Sequence, residues 1–106
     1  MHAILLVGGK YVLQLRDDKP EIPMPGMWSL FGGSVDKNED HFLGIIRELK
    51  EELNLSIDQT RYLWKYEFDE GVLSGKKCFY FHEANITNLW ESHELLEGQD
   101  VGCFFL

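Results

Sequence analysis

At 106 residues, 44% hydrophobic and 26% charged, the chain is long enough for one packed core and too short for two, and its composition excludes a disordered tail or a fibrous rod. Eighteen acidic residues against ten basic ones leave a formal charge of −8, a field that repels phosphate backbones and excludes nucleic-acid binding through a broad basic face. A small phosphate-bearing molecule can be held only where a divalent cation, a few placed Arg or Lys, or backbone N–H groups meet its charge locally.

The first segment, Met1-His2-Ala3-Ile4-Leu5-Leu6-Val7, lacks a basic run and stops at two glycines, so it reads as a strand and carries no export signal. No apolar run in the chain approaches the roughly 18 residues of a membrane span. The expected compartment is the cytoplasm. Ala3 to Val7 and Tyr11 to Leu15 are apolar segments around Gly8-Gly9-Lys10, the pattern of a tight hairpin whose turn needs positive backbone angles. Asp17 to Met27 holds all three prolines and Gly26, which blocks both helix and sheet ladder; it is either a binding loop or a plain connector. Trp28 to Phe31 reads as a short strand ending at Gly32-Gly33.

Polar residues then run to His41, where apolar positions begin to recur at helical spacing. Further on, Tyr62 to Phe68 and Lys77 to His82 are strand-like and joined through Asp69 to Lys76, with Gly71 and Gly75, as a second hairpin. Val101 to Leu106 reads as a last strand, and its apolar end suggests a domain that continues past it. Cys78 and Cys103 lie in apolar stretches without ligand spacing, the pattern of buried free thiols in a reducing compartment. Asn85-Ile86-Thr87 fits a glycosylation sequon by chance in a chain read as unexported. A single domain over residues 1–106 is expected.

On a helical wheel Phe42, Ile45, Ile46, Leu49 and Leu53 form one apolar stripe, while Glu48, Glu51 and Glu52 share a neighbouring side. Three like charges at that spacing repel one another unless a cation sits among them. Arg47, four residues before Glu51, is one candidate, and a hard metal ion that takes oxygen ligands is the other. The alternative is a solvated acidic face. Three further features bear on the choice. Gly32-Gly33 lets backbone approach a ligand closely. Glu39 is placed to reach either the cluster or the helix N-terminus as a cap. Asn54-Leu55 has the form of a helix stop, with asparagine in left-handed geometry. Trp28, Phe79 and Tyr80 are candidates either for stacking on a base or for the core.

Taken together, Gly33, Glu39 and the run Arg47-Glu48-Leu49-Lys50-Glu51-Glu52-Leu53-Asn54-Leu55 resemble the Nudix box, with Asn54 where that family has glycine. Trp28 ahead of the box and Glu97-Gly98-Gln99 after it extend the similarity toward the MutT-like branch. The resemblance implies an α/β/α sandwich with a mixed sheet; the usual C-terminal helix of that fold is expected to be missing from this chain or to lie beyond its end. It implies Mg²⁺ or Mn²⁺ held by Glu48, Glu51, Glu52, Glu97 and the Gly32 carbonyl, with Glu48 or Glu97 as a possible base. Glu39 and Arg47 would orient the carboxylates, and Arg16, Gly32 and Gly33 would face substrate phosphate. The implied reaction is hydrolysis of a nucleoside diphosphate linked to a further group: a (deoxy)nucleoside triphosphate first, ADP-ribose or a nucleotide sugar as the alternative. A nucleotide-binding module without turnover is the competing class. The implied partner is a small nucleotide, with no nucleic-acid polymer and no membrane, and a homodimer is common in such families.

Overall fold

In His2–Val7, Ala3 and Leu5 are buried and their neighbours are partly exposed, the period of two that a strand adopts when only one face is covered. A computed structural model describes residues 1–36, 38–69 and 76–105. Within it the elements in chain order are β1 (His2–Val7), β2 (Lys10–Leu15), β3 (Trp28–Ser29), β4 (Phe31–Gly32), α1 (His41–Leu53), β5 (Arg61–Asp69), β6 (Lys76–Asn85), a 3₁₀ helix (Thr87–Ser92) and β7 (Asp100–Phe104). The expected strand from Trp28 to Phe31 is two short strands with different partners. The expected turn between β5 and β6 falls at residues 70–75, and Leu106 ends the expected last strand; both lie outside the described residues.

The strands form one mixed sheet in the order β3-β2-β1-β6-β5, with β4 on β1 and β7 on β2. Only β1 with β6 is parallel among its pairings. β1 and β2 meet at their hairpin end, Leu5 opposite Val12 and Val7 opposite Lys10, where Gly8 and Gly9 take φ of 56° and 79°. Carried further, that register would set Ala3 against Gln14. Instead Ala3 pairs with Phe31 and Gln14 with Ser29, so the two strands splay and the short β3–β4 segment fills the gap.

α1 lies on one face of this sheet. Asp40 caps it, its Oδ1 accepting from Leu43 N–H at 2.8 Å, so of the two alternatives for Glu39 the cap falls to its neighbour and Glu39 pairs with Arg47. Ile45, Leu49 and Leu53 are fully buried against Ala3, Leu5, Val12 and Phe31, each contributing about 1.5–3 kcal/mol by leaving water. Ile46 joins this core from its margin, and Phe42 is partly exposed. Among the described residues no second α-helix covers the opposite face, where Trp64 and Tyr66 of β5 stand about half exposed. Cys78 and Cys103 are free thiols as expected, but half-buried: among the described residues Cys78 lies on the stretch of β6 paired with β5 alone, and Cys103 on β7, paired with β2 alone.

The helix start is anchored to the sheet by an imidazole pair. His41 Nδ1 lies 2.7 Å from His82 Nε2, His82 Nδ1 lies 2.7 Å from Thr60 Oγ1, and the His41 ring stacks on Tyr80 at 4.1 Å. Tyr80 is thereby placed in packing rather than as a free stacking platform. Burial, and then the neighbouring His41, hold the His82 pKa below its ordinary 6.5. A base with a depressed folded-state pKa adds stability above its unfolded value and loses it as pH falls below that value. The Tm should therefore drop as pH is lowered from 7 through 6, and His82→Gln should make that drop shallower. Equal slopes in the two proteins, followed by circular dichroism, would contradict the assignment.

Candidate active site

The splay of β1 and β2 opens a cleft of about 200 Å³ lined by Gln14, Arg16, Asp17, Ile22, Gly32, Glu48, Glu52, Glu97 and Gly98. Four parts of the chain supply it, and β4 contributes Gly32. α1 contributes Glu48 and Glu52, one turn apart on the side next to its buried stripe. The end of β2 and the proline-bearing loop contribute Gln14 to Ile22. The segment before β7 contributes Glu97 and Gly98.

The two glycines at the sheet end are required for different reasons. Gly32 has φ of 147°, and a Cβ there would lie 2.1 Å from the Met1 carbonyl oxygen, a backbone clash that cannot relax. A Cβ on Gly33 would lie 2.5 Å from Glu48 Oε1; its absence makes room for the carboxylate. Gly33 is tied to the chain start by Met1 in both directions, N–H to carbonyl at 3.0 Å and ammonium to carbonyl at 2.7 Å.

Glu52 is 4% exposed, and it receives Gln14 Nε2 at 3.5 Å and a backbone hydrogen bond from Gly32. Burial is the main cause that pushes its carboxyl up to about 9, followed by hydrogen bonding and charge from Glu48 and the charge of Glu97. Glu97 is also raised, by burial first and then by Glu48, Glu51 and Asp17. Glu52 accordingly favours the protonated form when no cation is near.

Arg47 stands on the other side of the cluster. Its Nε lies 2.8 Å from Glu39 and 3.1 Å from Asp36, its Nη1 reaches Glu48 at 3.0 Å and Glu51 at 3.3 Å, and its Nη2 donates to the Ser34 carbonyl at 3.0 Å. This lattice holds the segment before α1 against the helix. The Arg47 hydrogen bond keeps the Glu39 carboxyl below the usual carboxylate range, and Arg47 is itself raised, by Glu39 first.

Of the residues singled out from sequence, Arg16, Gly32, Glu48, Glu52 and Glu97 come together around the cleft. Gly33 lies behind Glu48, and Glu39, Arg47 and Glu51 form the ion-pair lattice beside it. Glu51 remains half exposed, turned toward Arg47. Arg16 Nε donates to the Pro23 carbonyl at 2.8 Å, so the proline-bearing loop folds back on the cleft, which favours the binding-loop alternative. Trp28 packs edge-on against Phe104 at 5.1 Å. Gln14 was not anticipated; the available signal was its place two residues after Val12, on the buried side of β2.

The donor set fits a hard divalent cation in charge and atom type: carboxylate oxygens, one of them buried without a countercharge, next to a glycine at a strand end. With Arg47 drawing Glu48 and Glu51 toward itself, no three His, Cys, Asp or Glu side chains stand at metal-ligating spacing among the described residues.

A carboxyl whose folded-state pKa is raised adds stability below its unfolded value, 4.5, and loses it as pH climbs toward about 9. The metal-free protein should therefore lose Tm between pH 6 and pH 9. Glu52→Gln should flatten that alkaline decline and raise Tm at pH 8.5. A decline of the same steepness in both proteins would show that Glu52 is not its source.

The family model of the NUDIX domain matches residues 2–100. Among solved structures, a MutT NUDIX hydrolase from Burkholderia pseudomallei is 21% identical with a TM-score of 0.74, covering 97% of this chain and 78% of that one. A MutT protein from Methanosarcina mazei Go1 is 19% identical with a TM-score of 0.77, covering 97% and 72%. A bifunctional NMN adenylyltransferase/ADP ribose pyrophosphatase from Francisella tularensis, complexed with AMP and a Mn ion, is 20% identical with a TM-score of 0.71, covering 96% and 32%. Comparison with curated protein sequences gives no significant match. The match over nearly the whole chain, on a fold that these structures share, makes this chain a member of the Nudix hydrolase family.

Proposed function

We propose that this single domain hydrolyses a phosphoanhydride bond in a nucleoside diphosphate linked to a further group, with a (deoxy)nucleoside triphosphate, cleaved to monophosphate and pyrophosphate, as the leading substrate. The observation that carries this reading is the crowding of Glu48, Glu52 and Glu97 around one cleft, with Glu52 buried and its carboxyl pushed up to about 9 by burial and by its acidic neighbours. Mg²⁺ or Mn²⁺ would be held by these three, by Glu51 and by the Gly32 carbonyl. Such an ion, once bound, neutralises phosphate oxygens and acidifies water, the two needs of phosphoanhydride hydrolysis.

The chain's own groups then have distinct tasks. Glu48 or Glu97 accepts the proton of the attacking water, a role open to any carboxylate in hydrogen-bond reach. Arg16, in the same cleft, meets a phosphate oxygen, and Gly32 and Gly33 face substrate phosphate with backbone, their missing side chains leaving room for the Met1 carbonyl and the Glu48 carboxylate. Arg47 and Glu39 act through the carboxylates they orient. On this reading Glu51 turns from Arg47 toward the ion, a rotamer change on a half-exposed side chain.

ADP-ribose or a nucleotide sugar is the second reading, favoured by the Francisella structure, a bifunctional NMN adenylyltransferase/ADP ribose pyrophosphatase complexed with AMP and a Mn ion. The chain acts in the cytoplasm on a small nucleotide, as a monomer or a homodimer. No described helix is long and apolar enough to cross a membrane.

Phosphate and pyrophosphate release from a panel of nucleotides with Mg²⁺ tests the proposal. Wild type should turn over at least one of them, and Glu52→Gln and Glu51→Gln should each lower kcat by about 100-fold or more. Tight nucleotide binding with no turnover on the whole panel would instead make the chain a binding module.

A further inference from the structure

Asn54 follows the last turn of α1 with φ of 54° and ψ of 35°, and its backbone N–H closes the helix on the Lys50 carbonyl at 3.1 Å. Glycine meets that backbone requirement by itself. The asparagine side chain is therefore not needed to stop the helix, yet it has a partner: Nδ2 donates to Glu94 Oε1 at 3.3 Å, across 40 residues of chain.

Glu94 opens the segment that delivers Glu97. Its N–H donates to the Leu53 carbonyl at 2.9 Å, and the Leu96 N–H donates to the Glu52 carbonyl at 2.9 Å. Glu52, Leu53 and Asn54 thus receive or make three successive bonds with residues 94–96. On the far side of the cleft, Gln99 N–H donates to the Leu15 carbonyl at 2.8 Å and Gln99 Nε2 to the Arg16 carbonyl at 2.8 Å. The segment has no regular structure between His93 and Glu97, so these bonds, together with Leu95 packed on the core, set its course. Glu97 shares the cleft with Glu48 and Glu52, and like charges push the segment outward. A tether at its start opposes that push.

We propose that Asn54 is a positioning residue: its side-chain amide, by holding Glu94, fixes segment 94–97 on the C-terminal turn of α1 and so keeps the Glu97 carboxylate in the cleft. The inference rests on the proposed role of Glu97 in hydrolysis, but the tether itself can be read without any reaction.

The experiment uses Asn54→Gly, which keeps the left-handed stop and removes the donor, and Asn54→Asp, which also keeps the stop and sets a carboxylate against Glu94. A third protein, Asn54→Asp with Glu94→Gln, restores the bond with donor and acceptor exchanged. Two readouts are taken: hydrogen exchange at the Glu94 and Leu96 amides, and kcat and KM for the best nucleotide with Mg²⁺. Asn54→Gly should speed exchange at both amides by about 3- to 10-fold, the worth of one exposed hydrogen bond. Its kcat should fall by a similar factor while KM stays within about twofold. Asn54→Asp should be worse, and the exchanged pair should recover both readouts.

Wild-type exchange in Asn54→Asp, or lost protection that the exchanged pair does not recover, would overturn the tether. Altered exchange with unchanged kcat would overturn its link to Glu97. A wild-type protein that hydrolyses nothing would overturn the proposed function instead, and the exchange data would still decide on the tether.

Discussion

The site is organised by an imbalance of charge along one helix. Arg47 reaches Asp36, Glu39, Glu48 and Glu51, so its positive charge is spread over the side of the cluster away from Glu52. Glu52, on the buried half, faces Glu48 and Glu97 and no cation at bonding distance among the described residues. A buried carboxylate in that position either takes a proton or draws in a cation. The rest of the site can be understood as what keeps that choice poised: Arg47 fixes the outer carboxylates, and the sheet end seals the inner one.

The seal depends on close approach of backbone. β1 and β2 separate where β3 and β4 wedge between them, and this brings Gly32 beside Met1 and within reach of Glu52. A side chain at Gly32 would strike backbone, and one at Gly33 would displace the Glu48 carboxylate. Gln14 completes the wall by donating to the Leu30 carbonyl at 3.3 Å and to Glu52 at 3.5 Å. Burial of Glu52 is thus a property of the sheet junction as much as of the helix, and its raised pKa follows from that packing.

What was legible in the sequence follows the range of each interaction. The helix, its buried stripe, the Arg47–Glu51 pair and the Asn54 stop are set by spacings of three and four and by one residue's backbone preference, all local. The membership of Glu97 in the cleft was visible only through family resemblance, because the bonds that bring it there run from Glu94 and Leu96 to helix carbonyls far away in sequence. The His41–His82–Thr60 contact and the division of the strand after Trp28 had no local signal; both depend on which strands become neighbours. Gln14 stands between these cases. Alternation along β2 put it on the buried side, and a polar residue at such a position calls for a polar partner.

The charge of the whole chain and the character of the cleft constrain ligand binding in the same direction. With a formal charge of −8 and three carboxylates beside Arg16, the cleft repels a bare polyphosphate. On the proposed reading, a divalent ion reverses that sign locally, so ion and phosphate each raise the affinity of the other by the same factor. A proton on Glu52 competes with the ion for the same oxygens. Nucleotide affinity should then depend on pH through the carboxylates that hold the ion.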